Sequence, residues 1–201
     1  MEFYVQPIAD PALVSARDGD SPEREASDFI QTETGNKISH LAYVYGSENI
    51  VLGGKTLIHA KCIVRGDLRR TGGGSAVAIA AGRYCTFGAR SLIRPPCKTY
   101  KGVFTYYPLK IGSYVVIGDD AVVQAAQIGS CVTIGRGAIV GRFAVLKDGC
   151  RILDDAYVAP GTVVESYSVM AGNPAVRVDT LPETADIMIR QEAMAAYAAP
   201  A

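Results

Sequence analysis

The fold is decided by residues 111–170, which read IGSYVVIGDDAVVQAAQIGSCVTIGRGAIVGRFAVLKDGCRILDDAYVAPGTVVESYSVM. A large apolar residue recurs every six residues, and the residue four positions after it is small. Neither the 3.6-residue period of a helix nor the two-residue period of a lone strand explains this alternation. The large positions are Ile111, Ile117, Val123, Ile128, Ile134, Val140, Leu146, Ile152, Val158, Val164 and Met170, and the small ones include Ala121, Ala138, Ala144, Cys150 and Ala156.

A triangular coil explains the repeat. Three six-residue sides make one turn, the large residue fills the middle of the prism, and the small one fits near a corner. Leu52, Ile58, Val64, Ala81, Phe87 and Ile93 continue the pattern towards the N-terminus. The sequence therefore predicts an all-β fold, a single-stranded parallel β-helix. Its left-handedness is taken from the resemblance to the hexapeptide-repeat fold family.

The other segments predict the domain organisation. Residues 1–28 carry no period and are expected to form a flexible leader. Residues 29–178 are expected to form the left-handed β-helix, with insertions at 69–75 and 95–110, and residues 179–201 a C-terminal helix and tail. Thr180 and Glu183 match a capping box, which predicts a helix from Leu181 to about Ala196 that packs along the β-helix.

The predicted helix needs an apolar surface to pack on. Ile63, Leu92, Val122, Ile139 and Tyr157 are expected to form one outward row along a side of the prism. We expect the helix to lie on that side. The same row could instead meet another subunit.

Composition excludes several classes of partner. Twenty basic and twenty acidic residues cancel, so no overall field favours nucleic acid or an anionic membrane. The sequence contains no stretch of about 18 apolar residues, so direct membrane insertion is not expected. The five cysteines are widely spaced without a CxxC pair, which favours buried reduced thiols in the cytosol over a zinc site.

Aromatic and cationic residues mark a candidate protein-binding surface. The insertion at 95–110 mixes tyrosines and a phenylalanine with lysines, a combination that binding surfaces use. The alternative is that these rings fold back onto the prism. The candidate partner-binding residues are Lys98, Tyr100, Lys101, Phe104, Tyr106 and Tyr107 in the insertion, with outward Arg83, Tyr84, Arg142 and Phe143.

Residues 115–129 resemble the γ-type carbonic anhydrases in length and phase, including a five-residue step from Val123 to Ile128. That resemblance implies three histidine ligands for zinc, but the matching positions hold Arg94, Asp119 and Gln124. A protonated guanidinium has no lone pair to donate to a metal. We therefore expect no metal, no cofactor and no catalytic residue. The alternative is a diverged homotrimeric enzyme, either carbonic-anhydrase-like or an acyltransferase.

Seven stretches resemble the dynactin subunit 5 family, which belongs to the pointed-end complex of dynactin. They are FIQTETGNKIS (29–39), SENIVLGGKTLI (47–58), CIVRGDL (62–68), RSLIRPP (90–96), YYPLKIG (106–112), AAQIGS (125–130) and VLKDGCRILDD (145–155). The resemblance implies a noncatalytic subunit, cytoplasmic and cytoskeletal, that reaches microtubules and endosomes through dynactin. The implied partners are dynactin subunit 6, the pointed-end actin-related protein, the large zinc-binding dynactin subunit and dynein cargo adaptors.

Overall fold

A computed structural model describes residues 29–68 and 77–198. The predicted leader, the predicted insertion at 69–75 and the last three residues of the tail lie outside this part of the chain. The described residues form a triangular prism of short, mostly parallel strands, a protruding hairpin, a 3-10 turn (Ser47–Asn49) and one α-helix, α1 (Ala185–Ala198). The predicted triangular coil of parallel strands is confirmed.

The prism has three flanks, each a sheet. The helix flank, on which α1 lies, contains β1 (Phe29–Gln31), β2 (Lys37–Ser39), β5 (Leu57–Ile58), β8 (Thr86–Phe87), β13 (Val116–Ile117), β16 (Thr133–Ile134), β19 (Arg151–Ile152), β22 (Ser168–Ala171) and β23 (Val176–Thr180). The apolar flank contains β3 (Tyr43–Tyr45), β6 (Ile63–Arg65), β9 (Leu92–Ile93), β14 (Val122–Val123), β17 (Ile139–Val140) and β20 (Tyr157–Val158). The mixed flank contains β4 (Ile50–Leu52), β7 (Ile79–Ala81), β12 (Leu109–Ile111), β15 (Gln127–Ile128), β18 (Val145–Leu146) and β21 (Val163–Val164).

The six-residue repeat builds the core as the sequence predicts. Ile117, Ile134 and Ile152 stand in register on neighbouring strands of the helix flank, and each is about 1% exposed. The small positions, such as Ala121 and Ala138, are completely buried at the corners. Burying one such aliphatic side chain contributes about 1.5–3 kcal/mol, so the stacked aliphatics are the main favourable term for this fold.

Gly118, the small residue that follows Ile117, is a packing requirement. A Cβ on Gly118 would lie 2.7 Å from the backbone nitrogen of Arg136, in the next coil. Real Cβ atoms do not approach backbone that closely, so the coils could not stack at this spacing with a larger residue there.

The five-residue step does not disturb the ladder. Val123 ends β14 and Ile128 ends β15, and fully buried Ala125 lies at the tightened corner between them. Ile128 still pairs in register with Ile111 on one side and Leu146 on the other.

The helix begins later than the sequence predicts. Thr180 is the last residue of β23, which pairs antiparallel with β22, and α1 begins only at Ala185. The Thr180 hydroxyl accepts a hydrogen bond from Arg177 Nη2 at 2.6 Å, so the capping-box prediction was wrong. This segment forms a strand instead of a helical turn, because β23 pairs with β22 and covers the exposed edge of the last coil.

The predicted position of the helix was also wrong, because α1 does not lie on the apolar flank. The Tyr167 hydroxyl lies 3.4 Å from Asp186, and Arg190 Nε donates to Cys131 Sγ at 3.5 Å. Lys37 Nζ donates to the carbonyl of Tyr197 at 3.0 Å. The coil ends in β22 and returns through β23, both in the helix flank, so the helix starts beside that flank.

The buried face of α1 is built mainly from small residues. Ala185, Ile189 and Ala193 are buried, whereas Ile187 and Met188 are 59% and 64% exposed. The small residues let the helix lie close to the prism.

Candidate partner-binding site

The insertion at 95–110 forms a hairpin at the corner between the apolar and mixed flanks. Its strands, β10 (Cys97–Tyr100) and β11 (Val103–Tyr106), pair antiparallel over four residues each. Lys101 and Gly102 make the two-residue turn, with φ angles of 48° and 77°. A left-handed pair is what the right-handed twist of a tight hairpin requires.

A groove of about 740 Å³ lies between this hairpin and the corners of the two coils that follow it. One wall is the hairpin, and the other is built by corner residues that follow β17 and β20. The lining residues are Cys97, Lys98, Thr99, Phe104, Tyr107, Arg142, Phe143, Pro160 and Gly161, called here the hairpin groove.

The aromatic rings of the hairpin divide between two roles. Tyr107 packs edge-on against Phe143 at 5.3 Å between ring centroids, so it ties the hairpin to the prism. Phe104 contacts Tyr106 at 5.0 Å and stays 56% exposed in the groove. Tyr107 therefore folds back onto the prism, whereas Phe104 remains available and its role in partner binding stays a prediction.

The charge of the hairpin groove is positive. Lys98 and Arg142 line it, and no aspartate or glutamate is among its lining residues. Lys101 lies outside it at the hairpin turn, with its ammonium 5.5 Å from the Tyr100 ring. Cations beside exposed aromatic rings suit an acidic segment that also carries apolar side chains.

The structure brings five of the ten predicted residues together in the groove: Lys98, Phe104, Tyr107, Arg142 and Phe143. Tyr100, Lys101 and Tyr106 are on the hairpin but do not line it. Arg83 and Tyr84 are elsewhere, beside the helix flank. There Tyr84 stacks on Tyr114 at 5.5 Å, and Tyr197 of α1 packs edge-on against Tyr84 at 6.0 Å.

Sequence reasoning missed four lining residues. Cys97 and Thr99 belong to β10, the strand that precedes the Lys101–Gly102 turn. A strand before a two-residue turn was the signal in the sequence that could have placed them on the hairpin. Pro160 and Gly161 follow Arg142 and Phe143 by 18 residues, which is one turn of the coil. That spacing could have placed them beside the predicted pair.

The positions that match the zinc ligands of carbonic anhydrases bind one another and the backbone. Arg94 Nη2 donates to Gln124 Oε1 at 3.0 Å, and Asp119 Oδ1 accepts from the backbone N–H of Ala89 at 2.7 Å. Nowhere in residues 29–68 and 77–198 do three His, Cys, Asp or Glu side chains group as metal ligands would. A guanidinium among these positions repels a cation, so this donor set does not fit zinc.

Burial shifts the pKa values of one histidine and three cysteines. Burial lowers the pKa of His59, although nearby Asp119 acts in the opposite direction. Burial raises the pKa of Cys62, Cys85 and Cys150 to about 11, which leaves almost no reactive thiolate near neutral pH. The three buried thiols therefore lack the thiolate that a cysteine nucleophile needs.

The comparison with protein families decides the identity. The family described as Dynactin subunit 5 matches residues 23–198 of this chain. The chain belongs to the dynactin subunit 5 family. A relative of that family, Dynactin subunit 5 of Dictyostelium discoideum, is 40% identical over 106 residues, which cover 53% of this chain and 50% of the relative. The matched segment thus spans about half the length of that dynactin subunit.

Solved structures support the fold of this dynactin subunit 5 family member. A hexapeptide transferase family protein from Anaplasma phagocytophilum aligns with a TM-score of 0.58 and 19% identity, covering 81% of this chain and 89% of its own. AntD, an N-acyltransferase from Bacillus cereus, aligns with a TM-score of 0.62 and 14% identity, covering 88% and 96%. At these identities the likeness concerns the fold alone, and it confirms the predicted left-handed parallel β-helix.

The described helix, α1, is not long and apolar enough to cross a membrane.

Proposed function

We propose that this chain is a noncatalytic subunit of dynactin that works by binding other proteins. Membership of the dynactin subunit 5 family supports this role. The observation that carries the noncatalytic part is the hydrogen bond between Arg94 and Gln124. These two residues stand at positions that match zinc ligands of carbonic anhydrases, and Arg94 places a fixed positive charge there. The protein has kept the scaffold of an enzyme family and uses its surface.

The expected partners are those of the pointed-end complex: dynactin subunit 6, the pointed-end actin-related protein and the large zinc-binding subunit. The ends of the prism support such contacts. On the helix flank, the antiparallel strands β1 and β23 cover the two ends. On the other flanks, β3 and β4 are edge strands at one end and β21 is an edge strand at the other, whereas the backbone of Tyr157 in β20 already pairs with Gly172 and Ala175. Parallel edges of this kind can pair with strands of a second β-helix.

The hairpin groove is the proposed contact for dynein cargo adaptors, and through them for cargo such as endosomes, in the cytoplasm and on the cytoskeleton. Its exposed aromatic ring and two cations provide both apolar burial and charge selection. Such contacts set partner choice more than raw affinity.

The experiment reverses both groove cations, Lys98→Glu with Arg142→Glu, and measures adaptor binding to assembled dynactin. We expect binding about tenfold weaker or more, because two partly exposed ion pairs each contribute roughly 1 kcal/mol. The matched control is Lys147→Glu, a charge reversal of an exposed lysine just after β18 and outside the groove, which should bind as the wild type does. Equal binding by the double variant would exclude the groove as the adaptor contact.

The competing function is a diverged homotrimeric enzyme of the same fold. It predicts a threefold mass for the purified chain, and stoichiometric zinc if the enzyme is carbonic-anhydrase-like, whereas a dynactin subunit needs neither. Metal analysis with light scattering on the full chain separates the two. Zinc bound in a trimer would overturn the proposal.

A further inference from the structure

One row of apolar side chains lies on the outside of the apolar flank. Its members occupy equivalent outward positions on six successive strands, and parallel pairing holds each beside the next. Tyr43 and Ile139 are 52% and 42% exposed, and the other four are partly buried. The members are Tyr43, Ile63, Leu92, Val122, Ile139 and Tyr157, called here the apolar row.

The outward positions of the other two flanks are either covered by a helix or interrupted by polar residues. α1 covers the helix flank. On the mixed flank, the equivalent positions include exposed Lys110 and Gln127, which interrupt any apolar surface. Among the described residues, no helix covers the apolar row and no polar side chain interrupts it, and a contiguous apolar surface is a candidate binding site.

The dimensions of the apolar row argue against a second copy of this chain. Six strands span five steps of about 4.8 Å, or about 24 Å in all. With a width of roughly 10 Å, the row offers on the order of 240 Å², well below the roughly 800 Å² per partner of a stable interface. A long strip one residue wide instead matches the ridge of a single helix. Such a helix would cover the row in about 16 residues, at about 1.5 Å per residue.

The chain itself shows how a helix lies on this prism. α1 runs along the prism axis, from Asp186 near Tyr167 in the last coil to Tyr197 near Lys37 at the other end. The Lys37 ammonium binds the carbonyl of Tyr197 in the last turn, where the helix dipole is negative. The axis and direction of a docked helix are therefore compatible with this scaffold.

Charges beside the apolar row repeat that polarity. Exposed Lys61 is two residues before Ile63. Arg94, which donates to the neutral amide of Gln124, is two residues after Leu92. At the other end, exposed Asp155 is two residues before Tyr157. The row thus has exposed Lys61 near Tyr43 and exposed Asp155 near Tyr157, while Arg90 and Asp120 beside its middle pair with each other. These charges complement the negative C-terminus and the positive N-terminus of a helix that runs in the same direction as α1.

We propose that the apolar row binds an amphipathic α-helix of a partner protein. This helix lies along the prism axis, places apolar residues at i, i+3 or i+4, and i+7 on the row, and carries acidic residues at the end near Lys61. The inference rests on the proposed role as a dynactin subunit, but not on the hairpin groove. The helix is one contact of a partner that also binds elsewhere, since the row alone is small.

The test uses assembled dynactin that contains this full chain with a photo-crosslinking amino acid in place of Ile139. The matched control places the same amino acid at Val163, an exposed outward β-branched residue on the mixed flank. Mass spectrometry then identifies the crosslinked residues. We expect position 139 to crosslink to a partner segment with helical apolar spacing, and position 163 not to crosslink to that segment.

Four results would overturn the inference: a crosslink from position 139 to an extended segment, to residues 1–28, to a second copy, or to nothing in dynactin that contains the chain. Failure of the wild-type chain to join dynactin would instead remove the proposed function as well. As a second measurement, Ile139→Glu should weaken binding of the identified segment about tenfold or more. Val163→Glu should leave it unchanged, and equal effects would also contradict the inference.

Discussion

Replacing Ile134 by alanine tests the inward register of the whole β-helix. Ile134 is about 1% exposed and lies between Ile117 and Ile152 in the core. The change removes three carbons, worth about 0.8 kcal/mol each on transfer from water, and leaves a cavity in a close-packed stack. We expect the free energy of unfolding to fall by about 3–4 kcal/mol, within the range of such core truncations.

The matched control is Ile139→Ala, the same substitution five residues later on an outward position. Ile139 is 42% exposed, so less surface is lost and no internal cavity forms. The expected loss is about 1 kcal/mol or less. Denaturant unfolding of the full chain, followed by circular dichroism, measures both values. The proposed register would be refuted if the change at Ile139 cost as much as the change at Ile134.

Two further predictions concern acidity and thiol reactivity. Burial lowers the pKa of His59, so the unfolded chain, where histidine titrates near 6.5, binds the proton more tightly. The folded state therefore has its full stability above about pH 6.5, the unfolded value, and loses part of it progressively as the pH falls from there through the lowered pKa of folded His59. His59→Gln should flatten this part of the stability profile, measured between pH 7.5 and 5.5, and an unchanged slope would contradict the assignment. Partly exposed Cys97 should be alkylated before buried Cys62 and Cys85 in the native chain, as peptide mass spectrometry can show, and early labelling of either buried thiol would contradict the core described above.

Much of the fold could be predicted because burial alone selects the residue at each inward position. Ile117 and Ala121 illustrate this, since one fills the prism and the other fits its corner. Hydrogen bonding between coils then follows from the constant length of the repeat. The repeat is a local pattern, and for that reason a single sequence reveals it.

The position of α1 could not be predicted in the same way. The choice of flank depends on which side of the prism the last coil ends, and the pairing of β23 with β22 settles that. Thr180 matches a capping residue locally, but it lies in β23, where it pairs with Ser168 of β22. Such competition between local and distant pairing is invisible in the sequence pattern.

The candidate site was predictable in part for a related reason. Lys98 and Phe104 stand out by composition, and Arg142 and Phe143 by their outward position. That these two pairs face the same groove depends on the direction in which the hairpin leaves its corner. Tyr84 has the same composition signal, yet its ring serves the packing of α1.

The path of α1 has a consequence for how the molecule opens. In a solenoid each coil contacts only its neighbours, so the terminal coils fray independently. Here one helix touches Tyr167 near one terminus of the stack and Gly35, through the Tyr197 hydroxyl at 2.6 Å, near the other. Peeling either terminal coil must loosen the element that also holds its opposite. Amide exchange at both termini should therefore slow together, giving a short repeat protein the all-or-none behaviour of a globular domain.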